Sequence, residues 1–270
     1  MMTYPILRGK RFWFFFVLSL ALLWGSYQVY LNKSLGFSLK RITSTFSYNP
    51  ALSIEEPTGP DLDRLKSIFQ QKFKYLAVGS QSYAFVSEDG KYVIKFFIMK
   101  HLIPRISDLW HPEKIADRRE NLLSIFNAHK LAYEELREDT GLLYIHLNKG
   151  DHLQTRLTVV DRLGRTHLID LDKVEFVVQE KAELIFTRFK KLLLQKDQVQ
   201  LEQSIAAILQ LVQRRIDRGI SDHDKAVKHN YGFVGDRAVH LDIGRIEKVR
   251  KPKEHHRISQ RIHKWLEENT

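Results

Sequence analysis

The sequence predicts an α+β protein whose folded part has two lobes and follows one membrane-spanning helix. Three observations predict this fold class. A charge-free apolar segment occupies residues 12–31, and a β-rich stretch with two hairpin signals lies within residues 61–181. Two amphipathic helices, a polar loop and a further hairpin then occupy residues 182–250. Strands and helices that are segregated along a chain in this way are typical of α+β folds.

The apolar segment is predicted to cross a bilayer without being cleaved. It reads FWFFFVLSLALLWGSYQVYL, and about 20 residues of helix span the ~30 Å hydrocarbon layer. Its aromatic rings near both ends suit the headgroup region. The alternatives are a buried core helix and a cleaved signal peptide. Cleavage is disfavoured because Leu23 and Trp24 crowd the positions before Gly25 and Ser26.

The charges on the two sides of this segment leave its orientation undecided. Residues 1–11 form a basic segment, and three basic residues also follow the apolar run. The two groups are Arg8, Lys10 and Arg11 on one side and Lys33, Lys40 and Arg41 on the other. Similar numbers on both sides give little bias. Residues 32–60 are rich in Ser, Thr, Pro and Gly, and this composition predicts a tether.

The first lobe is predicted to alternate strands with two helices. A helix over residues 61–73 places its apolar side chains on one side. Two strands then flank Asp89-Gly90, a strong hairpin signal. A long helix over residues 112–136 follows, and next come a strand in GLLYIHLN, a second hairpin that turns at Leu163-Gly164, and a buried strand in VEFVVQE.

The second lobe is predicted to be mainly helical. Amphipathic helices cover residues 182–195 and 199–218, and the polar loop SDHDKAVKHN follows Gly219. Two short strands, YGFV and AVHLDIG, surround a turn at Gly235-Asp236. The basic tail, residues 251–270, is predicted to be a helix. We expect its apolar stripe to dock onto the second lobe, and binding to anionic lipid is the alternative; the stripe consists of Ile258, Ile262, Trp265 and Leu266.

Composition limits the classes of function. The net charge of +11 favours anionic partners such as nucleotides, phosphorylated substrates or lipid headgroups. Nucleic acid is not expected as a partner, because no recognition motif accompanies the charge. The chain has no cysteine, which excludes disulfides, thiolate catalysis and cysteine-ligated zinc.

Four polar motifs follow one another in the order that metal-assisted phosphoryl transfer needs. A glycine turn can cradle phosphates, a lysine on a strand can neutralise them, an aspartate in a loop can accept the substrate proton, and an asparagine and a second aspartate can hold the metal. The residues are Gly79, Ser80 and Gln81 in VGSQSYAFV, Lys95 in YVIKF, Asp222, Asp224 and Asn230 in one polar loop, and Asp242 in LDIG.

On these motifs the chain resembles the protein-kinase-like superfamily over roughly residues 75–245. VGSQSYAFV is similar to the glycine-rich loop GxGxxGxV, YVIK to VAIK, GISDHDKAVKHN to the catalytic loop GIxHRDxxxxN, and LDIG to Asp-Phe-Gly. The resemblance implies that ATP binds with Mg²⁺ or Mn²⁺. It implies that Lys95 contacts phosphates, Asp224 acts as the base, and Asn230 and Asp242 ligate the metal. The segment VVQEKAE would contact adenine through its backbone.

The chain departs from the family pattern in several places. Gln81 and Ala84 replace the second and third glycines of the loop, and Asn230 lies six residues after Asp224 instead of five. The family's His-Arg-Asp reads Asp222-His223-Asp224, so Asp222 is the base if the register of the loop is shifted.

The part after LDIG is short. Only 26 residues follow Gly244, which implies a reduced second lobe. The ion-pair partner of Lys95 is expected to be Glu120, with Glu134 as the alternative.

Two functional hypotheses follow. The first is a membrane-anchored kinase-like protein that binds nucleotide and metal and transfers phosphate to a small or membrane-proximal substrate. The alternative is a pseudokinase that acts as a membrane-tethered interaction module. A dedicated metal site at His223, His229 and His240 is a weaker alternative, because no tight pair of ligands fixes its geometry.

Overall fold

A computed structural model describes residues 6–34, 36–102, 108, 110–111, 113–224, 226–250 and 255–269. The chain is a mixture of helices and strands, which confirms the predicted α+β class. The helices are α1 (Ile6–Ser34), α2 (Leu39–Ile42), α3 (Gly59–Phe69), α4 (Glu113–Glu135), α5 (Arg137–Thr140), α6 (Ile185–Gln195), α7 (Gln198–Asp217) and α8 (His255–Asn269). Three short 3₁₀ helices cover Pro50–Leu52, Met99–Leu102 and Leu171–Lys173.

Seven of the strands form one sheet in the order β4-β7-β3-β2-β1-β5-β6. They are β1 (Phe73–Val78), β2 (Ser82–Ser87), β3 (Tyr92–Phe97), β4 (Leu142–His146), β5 (Arg156–Val160), β6 (Thr166–Asp170) and β7 (Phe176–Glu180). The first three strands form an antiparallel meander, β7 pairs antiparallel with both β3 and β4, and β5 runs parallel to β1. Both predicted hairpins are confirmed. Gly90 and Gly164 take positive φ angles of 72° and 79° at their turns, where glycine has no steric penalty.

The remaining strands are short. They are β8 (Glu183–Leu184), β9 (Ile220–Asp222), β10 (Tyr231–Val234), β11 (Arg237–His240) and β12 (Ile246–Lys248). β11, β10 and β8 form one small antiparallel sheet, and β12 pairs with β9 in another. The β9–β12 pair was not predicted from the sequence, because neither segment has a run of apolar residues long enough to indicate a strand.

Two hydrophobic clusters cover the two faces of the large sheet. Side chains alternate along β3, so Ile94 and Phe96 lie in one cluster, while Phe97 lies in the other. The second cluster includes Phe126 of α4. A third cluster lies around α6, α7 and β10. Ile258 of α8 is buried in the third cluster, and Trp265 packs against it, which confirms that the tail docks onto the helical part.

The segment predicted to be a tether is packed against the folded part instead. Phe37 and Ile42 are buried in the first sheet cluster, and Phe46 and Leu52 are buried in the second. These four apolar residues are widely spaced within a polar segment, so the sequence of residues 32–60 did not predict their burial. Burial of each apolar side chain stabilises the fold by about 1.5–3 kcal/mol, which outweighs the flexibility that the polar residues favour.

The first helix contains the apolar segment. α1 is 29 residues long, and its described aromatic and aliphatic side chains from Phe12 to Trp24 are largely exposed. Among the residues with described placement, no helix meets both the length and the apolarity that a membrane crossing needs. The side chains of Arg8, Lys10 and Arg11, and the whole of Lys251 and Lys253, lie outside the described part of the chain.

Candidate functional site

The loop between β1 and β2 is a tight turn that is fixed at both ends. The Gly79 amide donates to the Ser82 carbonyl at 2.9 Å, and the Gln81 carbonyl accepts from the Ile98 amide at 2.8 Å. The second bond ties the loop to the end of β3. Gly79 and Ser80 are exposed, and Gln81 is half-buried. The predicted phosphate loop is therefore a short, anchored turn.

Lys95 lies on the central strand β3, paired with Ala84 of β2 and Val177 of β7. Its side chain projects from the face that α4 covers, and its Nζ donates to the Leu241 carbonyl at 2.8 Å. Burial lowers the pKa of Lys95, and the nearby Asp242 carboxylate partly offsets this effect. β3 thus holds the part-buried Lys95 ammonium against Leu241, the residue that precedes Asp242.

Asp242 follows β11 in a segment that is anchored at its start. The Leu241 amide donates to the Asn230 carbonyl at 2.7 Å, while the Leu241 carbonyl accepts from Lys95. The Asp242 side chain is exposed. These two bonds at Leu241 position the Asp242 carboxylate at the opening between the seven-stranded sheet and the β11-β10-β8 sheet.

Lys95 and Asp242 line one cavity of about 150 Å³, which we call the Lys95–Asp242 cavity. The β1–β2 loop forms another of its walls. The other lining residues are Gly79, Ser80, Gln81, Ser82, Ala84, Phe97, His129, His229 and Leu241. Five of the nine residues proposed as site residues from the sequence therefore meet here, and they come from segments more than 140 positions apart.

The Gln81 side chain closes one side of this cavity. Its carboxamide lies directly against Gly244, so closely that a Cβ on Gly244 would overlap it. The absence of a side chain at Gly244 of LDIG thus makes room for this contact with the β1–β2 loop. This contact brings two of the predicted motifs together.

His129 of α4 was not predicted as a site residue. Its Nδ1 donates to the Ile125 carbonyl at 2.8 Å, and its ring packs edge-on against Phe97 at 4.9 Å. Burial, together with the charge of Lys95, lowers the pKa of His129 to about 4, so the ring is neutral at pH 7. Because Nδ1 carries the proton, Nε2 is an acceptor. The signal in the sequence was a polar residue within the apolar stripe of α4.

The expected ion-pair partner of Lys95 does not lie at the cavity. Glu120 is exposed on α4 and is not among the residues that line the cavity. Glu134 lies on the same helix and pairs with Lys130 at 3.6 Å. The helix turns both carboxylates away from β3, and His129 occupies the buried side instead.

Asp222 is a structural residue in this fold. It is 2% exposed, and its Oδ2 lies 3.3 Å from both Arg215 Nη1 and His240 Nε2. Burial alone raises the pKa of Asp222, but the hydrogen bond and charge of His240, together with Arg215, lower it overall. The Tyr231 ring stacks on His240 at 4.8 Å. The carboxylate is enclosed and does not line the Lys95–Asp242 cavity.

Asp224 and Asn230 also lie outside the cavity lining. Asp224 is half-buried, and its Oδ1 accepts from the Ala226 amide at 2.8 Å, which makes it a turn residue. Its own carbonyl accepts from Arg257 of α8 at 3.1 Å. Asn230 is buried, and within the described residues its Nδ2 has no hydrogen-bond partner.

The three histidines predicted as an alternative metal site are separated. His223 pairs with Glu247 at 2.6 Å, His240 is buried beside Asp222, and only His229 of the three lines the Lys95–Asp242 cavity. Across the described ranges, no three His, Asp or Glu side chains form a group that could hold a metal ion.

The residues of the cavity suit the phosphate end of a nucleotide. A lysine and a carboxylate share the cavity with the Gly79 turn, and a carboxylate is an oxygen ligand of the kind that Mg²⁺ binds together with phosphate oxygens. Sites for whole small molecules are typically ~300–1,000 Å³, so the adenosine part of a nucleotide would have to extend beyond the cavity. The segment VVQEKAE was expected to contact adenine through its backbone. Its Glu180 and Lys181 amides already donate to the Gly141 and Lys91 carbonyls, both at 2.8 Å, so these two N–H groups are used within the protein.

No protein-family model and no curated protein matches the chain. Among solved structures, the chain is similar to the complex of Rv3197 with erythromycin from Mycobacterium tuberculosis, with 14% sequence identity and a TM-score of 0.33. The match covers 72% of this chain and 53% of the other, so the chain spans about half the length of that protein.

Proposed function

We propose that this chain is a membrane-attached, kinase-like protein that binds the phosphates of ATP, with Mg²⁺ or Mn²⁺, at the Lys95–Asp242 cavity. The observation that carries the proposal is the convergence of a strand lysine, an exposed aspartate and the Gly79 turn on one cavity. The net charge of +11 also favours an anionic ligand.

The topology around Lys95 supports the kinase-like assignment. Protein kinases carry their phosphate lysine on the third strand, after a glycine-rich loop, and a helix follows that strand. Here Lys95 lies on β3 of a three-stranded meander, the Gly79 turn joins β1 to β2, and α4 follows β3. The helical region after residue 182 would be a reduced second lobe that begins with β8, α6 and α7.

Each group has a physical role in this proposal. The ammonium of Lys95 neutralises phosphate charge, and Asp242 supplies an anionic oxygen to the cation. His129 lines the cavity beside Lys95, and its neutral ring supplies no negative charge to pair with the ammonium. ATP, when bound, supplies a transferable phosphoryl group, and the divalent cation neutralises its charge.

A second candidate is a pseudokinase that binds nucleotide without transferring phosphate. Of the described residues that line the cavity, Asp242 is the one carboxylate. Asp222 is enclosed by Arg215 and His240, and Asp224 belongs to a turn held by α8. Neither lies as a base beside the phosphate end, which favours binding over transfer.

The first helix carries the proposed attachment to the membrane. Apolar patches on a soluble protein are seldom this extensive, and the exposed side chains of α1 include Phe12, Trp13, Phe14, Phe15 and Leu22. We expect the full chain to stay in the membrane pellet after alkaline carbonate extraction. A Leu22→Asp variant should release more protein, because a charged side chain is costly in the hydrocarbon layer. The fold should persist, since the exposed Leu22 has little packing to lose. A chain that is soluble before any treatment would contradict the attachment.

Thermal unfolding of the full chain with ATP plus Mg²⁺ or Mn²⁺ tests the nucleotide proposal. A ligand at a hundredfold excess over its Kd stabilises the folded state by about 2.7 kcal/mol. Lys95→Met should remove the shift with either metal. Asp242→Asn should weaken the metal-dependent part, because an anionic ligand is lost. If the wild type shows no shift with any combination, nucleotide binding is wrong.

Matched controls separate the site from general charge effects. Lys91→Met removes a lysine at the hairpin turn, and Asp151→Asn removes an exposed carboxylate; both should retain the ATP-dependent shift. Phosphate transfer is then measured on the same proteins. Transfer that falls in Asp224→Asn while binding persists identifies Asp224 as a base and the protein as an enzyme. Binding without transfer in the wild type identifies the pseudokinase.

A further inference from the structure

A second and larger groove adjoins the Lys95–Asp242 cavity. Its volume is about 900 Å³, within the ~300–1,000 Å³ typical of small-molecule sites. One wall is α4 and the other is residues 244–248, so we call it the α4 groove. Ser80 and Gln81 line both the groove and the cavity. The two spaces therefore meet at the β1–β2 loop.

The floor of the α4 groove is apolar. Leu122, Ile125 and Ala128 of α4 form one side, and Ile98 and Ile246 form the other. All five are buried members of the protein core, so the floor is fixed in place. The part of a ligand that lies on this floor must be apolar, because a polar group here would lose its hydrogen bonds to water without replacement.

The rim of the groove is polar. Asn121, Ser124 and Asn127 lie about one turn apart along α4, and all three line the groove. They offer amide and hydroxyl groups along one edge. A ligand that covers the floor can thus keep a polar part in contact with this edge.

One cation of the rim is available for a ligand. Most charged groups of the groove are already paired: Arg118 with Asp108 at 2.6 Å, Lys248 with Glu135 at 2.5 Å, and Glu247 with His223 at 2.6 Å. Arg245 is exposed, and its guanidinium makes no ion pair or hydrogen bond to any described residue. Guanidinium groups bind carboxylate and phosphate through paired N–H donors.

We propose that the α4 groove binds a single-chain anionic amphiphile, with its alkyl chain on the floor and its headgroup at Arg245. Arg245 follows Gly244, which Gln81 covers, so the headgroup lies at the end of the groove nearest the Lys95–Asp242 cavity. The membrane attachment proposed for α1 would give the chain contact with a source of such molecules. The inference deepens the proposed function by naming a membrane-derived second ligand, and it rests on that function for the membrane source of this ligand and for its link to nucleotide.

Photolabelling tests the occupant. The full chain is placed in nanodiscs of neutral phosphatidylcholine and exposed to octyl phosphate that carries a diazirine on its last carbon. Apart from α1, which contacts the same bilayer, we expect labelling to concentrate in residues 113–135, the α4 peptide. Arg245→Glu should reduce it roughly fivefold or more, because a favourable charge contact of the headgroup becomes repulsive. Arg250→Glu makes the same charge change outside the groove and should retain full labelling.

Competition distinguishes the sources of the anionic group. Unlabelled octyl phosphate should abolish the labelling, octanol should compete several-fold more weakly, and inorganic phosphate should not compete. Labelling that is unchanged in Arg245→Glu, spread evenly over the chain, or displaced by inorganic phosphate alone overturns the inference. Octanol that competes as well as octyl phosphate also overturns it, because the headgroup then contributes nothing.

Failure of this inference is separable from failure of the nucleotide proposal. Lys95→Met should lose the ATP-dependent thermal shift and keep the labelling of α4. Labelling without any ATP-dependent shift in the wild type refutes nucleotide binding alone. An ATP-dependent shift without α4 labelling refutes the amphiphile alone.

Discussion

Asp222 is the last residue of β9, and Asp242 follows β11 20 positions later, yet the two aspartates have opposite surroundings. Asp222 is 2% exposed and lies between Arg215 and His240. Asp242 is exposed at the Lys95–Asp242 cavity, where Lys95 is the nearby cation. A carboxylate in a motif thus stays exposed at a cavity or becomes enclosed by charged partners according to what packs around it.

The largest expected effect is on stability and distinguishes the two aspartates. Asp222→Asn leaves the buried Arg215 charge without its counter-ion, and loss of one partner of a buried ion pair costs about 3–5 kcal/mol. Asp242→Asn changes an exposed side chain, and Lys95 keeps its hydrogen bond to the Leu241 carbonyl, so the free energy of unfolding should change by less than about 1 kcal/mol. Urea unfolding followed by far-UV circular dichroism measures both. Equal losses in the two variants would show that the contrast in packing is wrong.

The next prediction concerns pH and the wall of the cavity. The pKa of His129 is about 4 in the folded protein, against the ordinary value of 6.5 that applies to the unfolded chain, so between these values the unfolded chain binds more protons. Stability therefore falls as pH decreases from 6.5 to 4, by about 3 kcal/mol for this group. His129→Gln should lose that part of the pH dependence. His263→Gln removes an exposed histidine and should retain it.

Asp222 should lose its stabilising effect in a different pH range. The folded-state pKa of Asp222 is lowered from 3.8, so its stabilisation is present above that value and disappears only as pH falls below it. The two groups are thus separable in one titration. A wild-type stability that is flat between pH 6.5 and 4 would contradict the neutral, buried state of His129.

Smaller effects than that of Asp222→Asn are expected from two glycines, one near the enclosed Asp222 and one beside the Lys95–Asp242 cavity. A Cβ on Gly232 would lie 2.5 Å from the Glu183 carbonyl oxygen, which is backbone and cannot move freely. Gly232→Ala should therefore cost about 1–3 kcal/mol. At Gly244 the added Cβ would meet the end of the Gln81 side chain, which can rotate away. Gly244→Ala should cost less than about 1 kcal/mol, and Gln81→Ala should remove most of that cost in a double-mutant cycle.

Much of the fold was predictable from local patterns. Periodicity and turn residues predicted α3, α4, α6, α7 and both hairpins of the large sheet to within a few residues. Local signals were insufficient where pairing or burial joins distant segments. The β9–β12 pair joins two three-residue strands that are more than 20 positions apart, and residues 36–52 pack through four apolar residues that have no regular spacing.

The sequence by itself determined which residue types could form a phosphate site, and it determined their order along the chain. Gly79, Lys95 and Asp242 were identified from motifs, because strand ends and turns are encoded locally. Only the tertiary structure decided which acidic residue lines the Lys95–Asp242 cavity. The rotation of α4 turns Glu120 outward and His129 inward, and the packing of α7 against β11 brings Arg215 and His240 to Asp222. The physical reason is that burial and charge pairing depend on contacts between residues that are far apart in the chain.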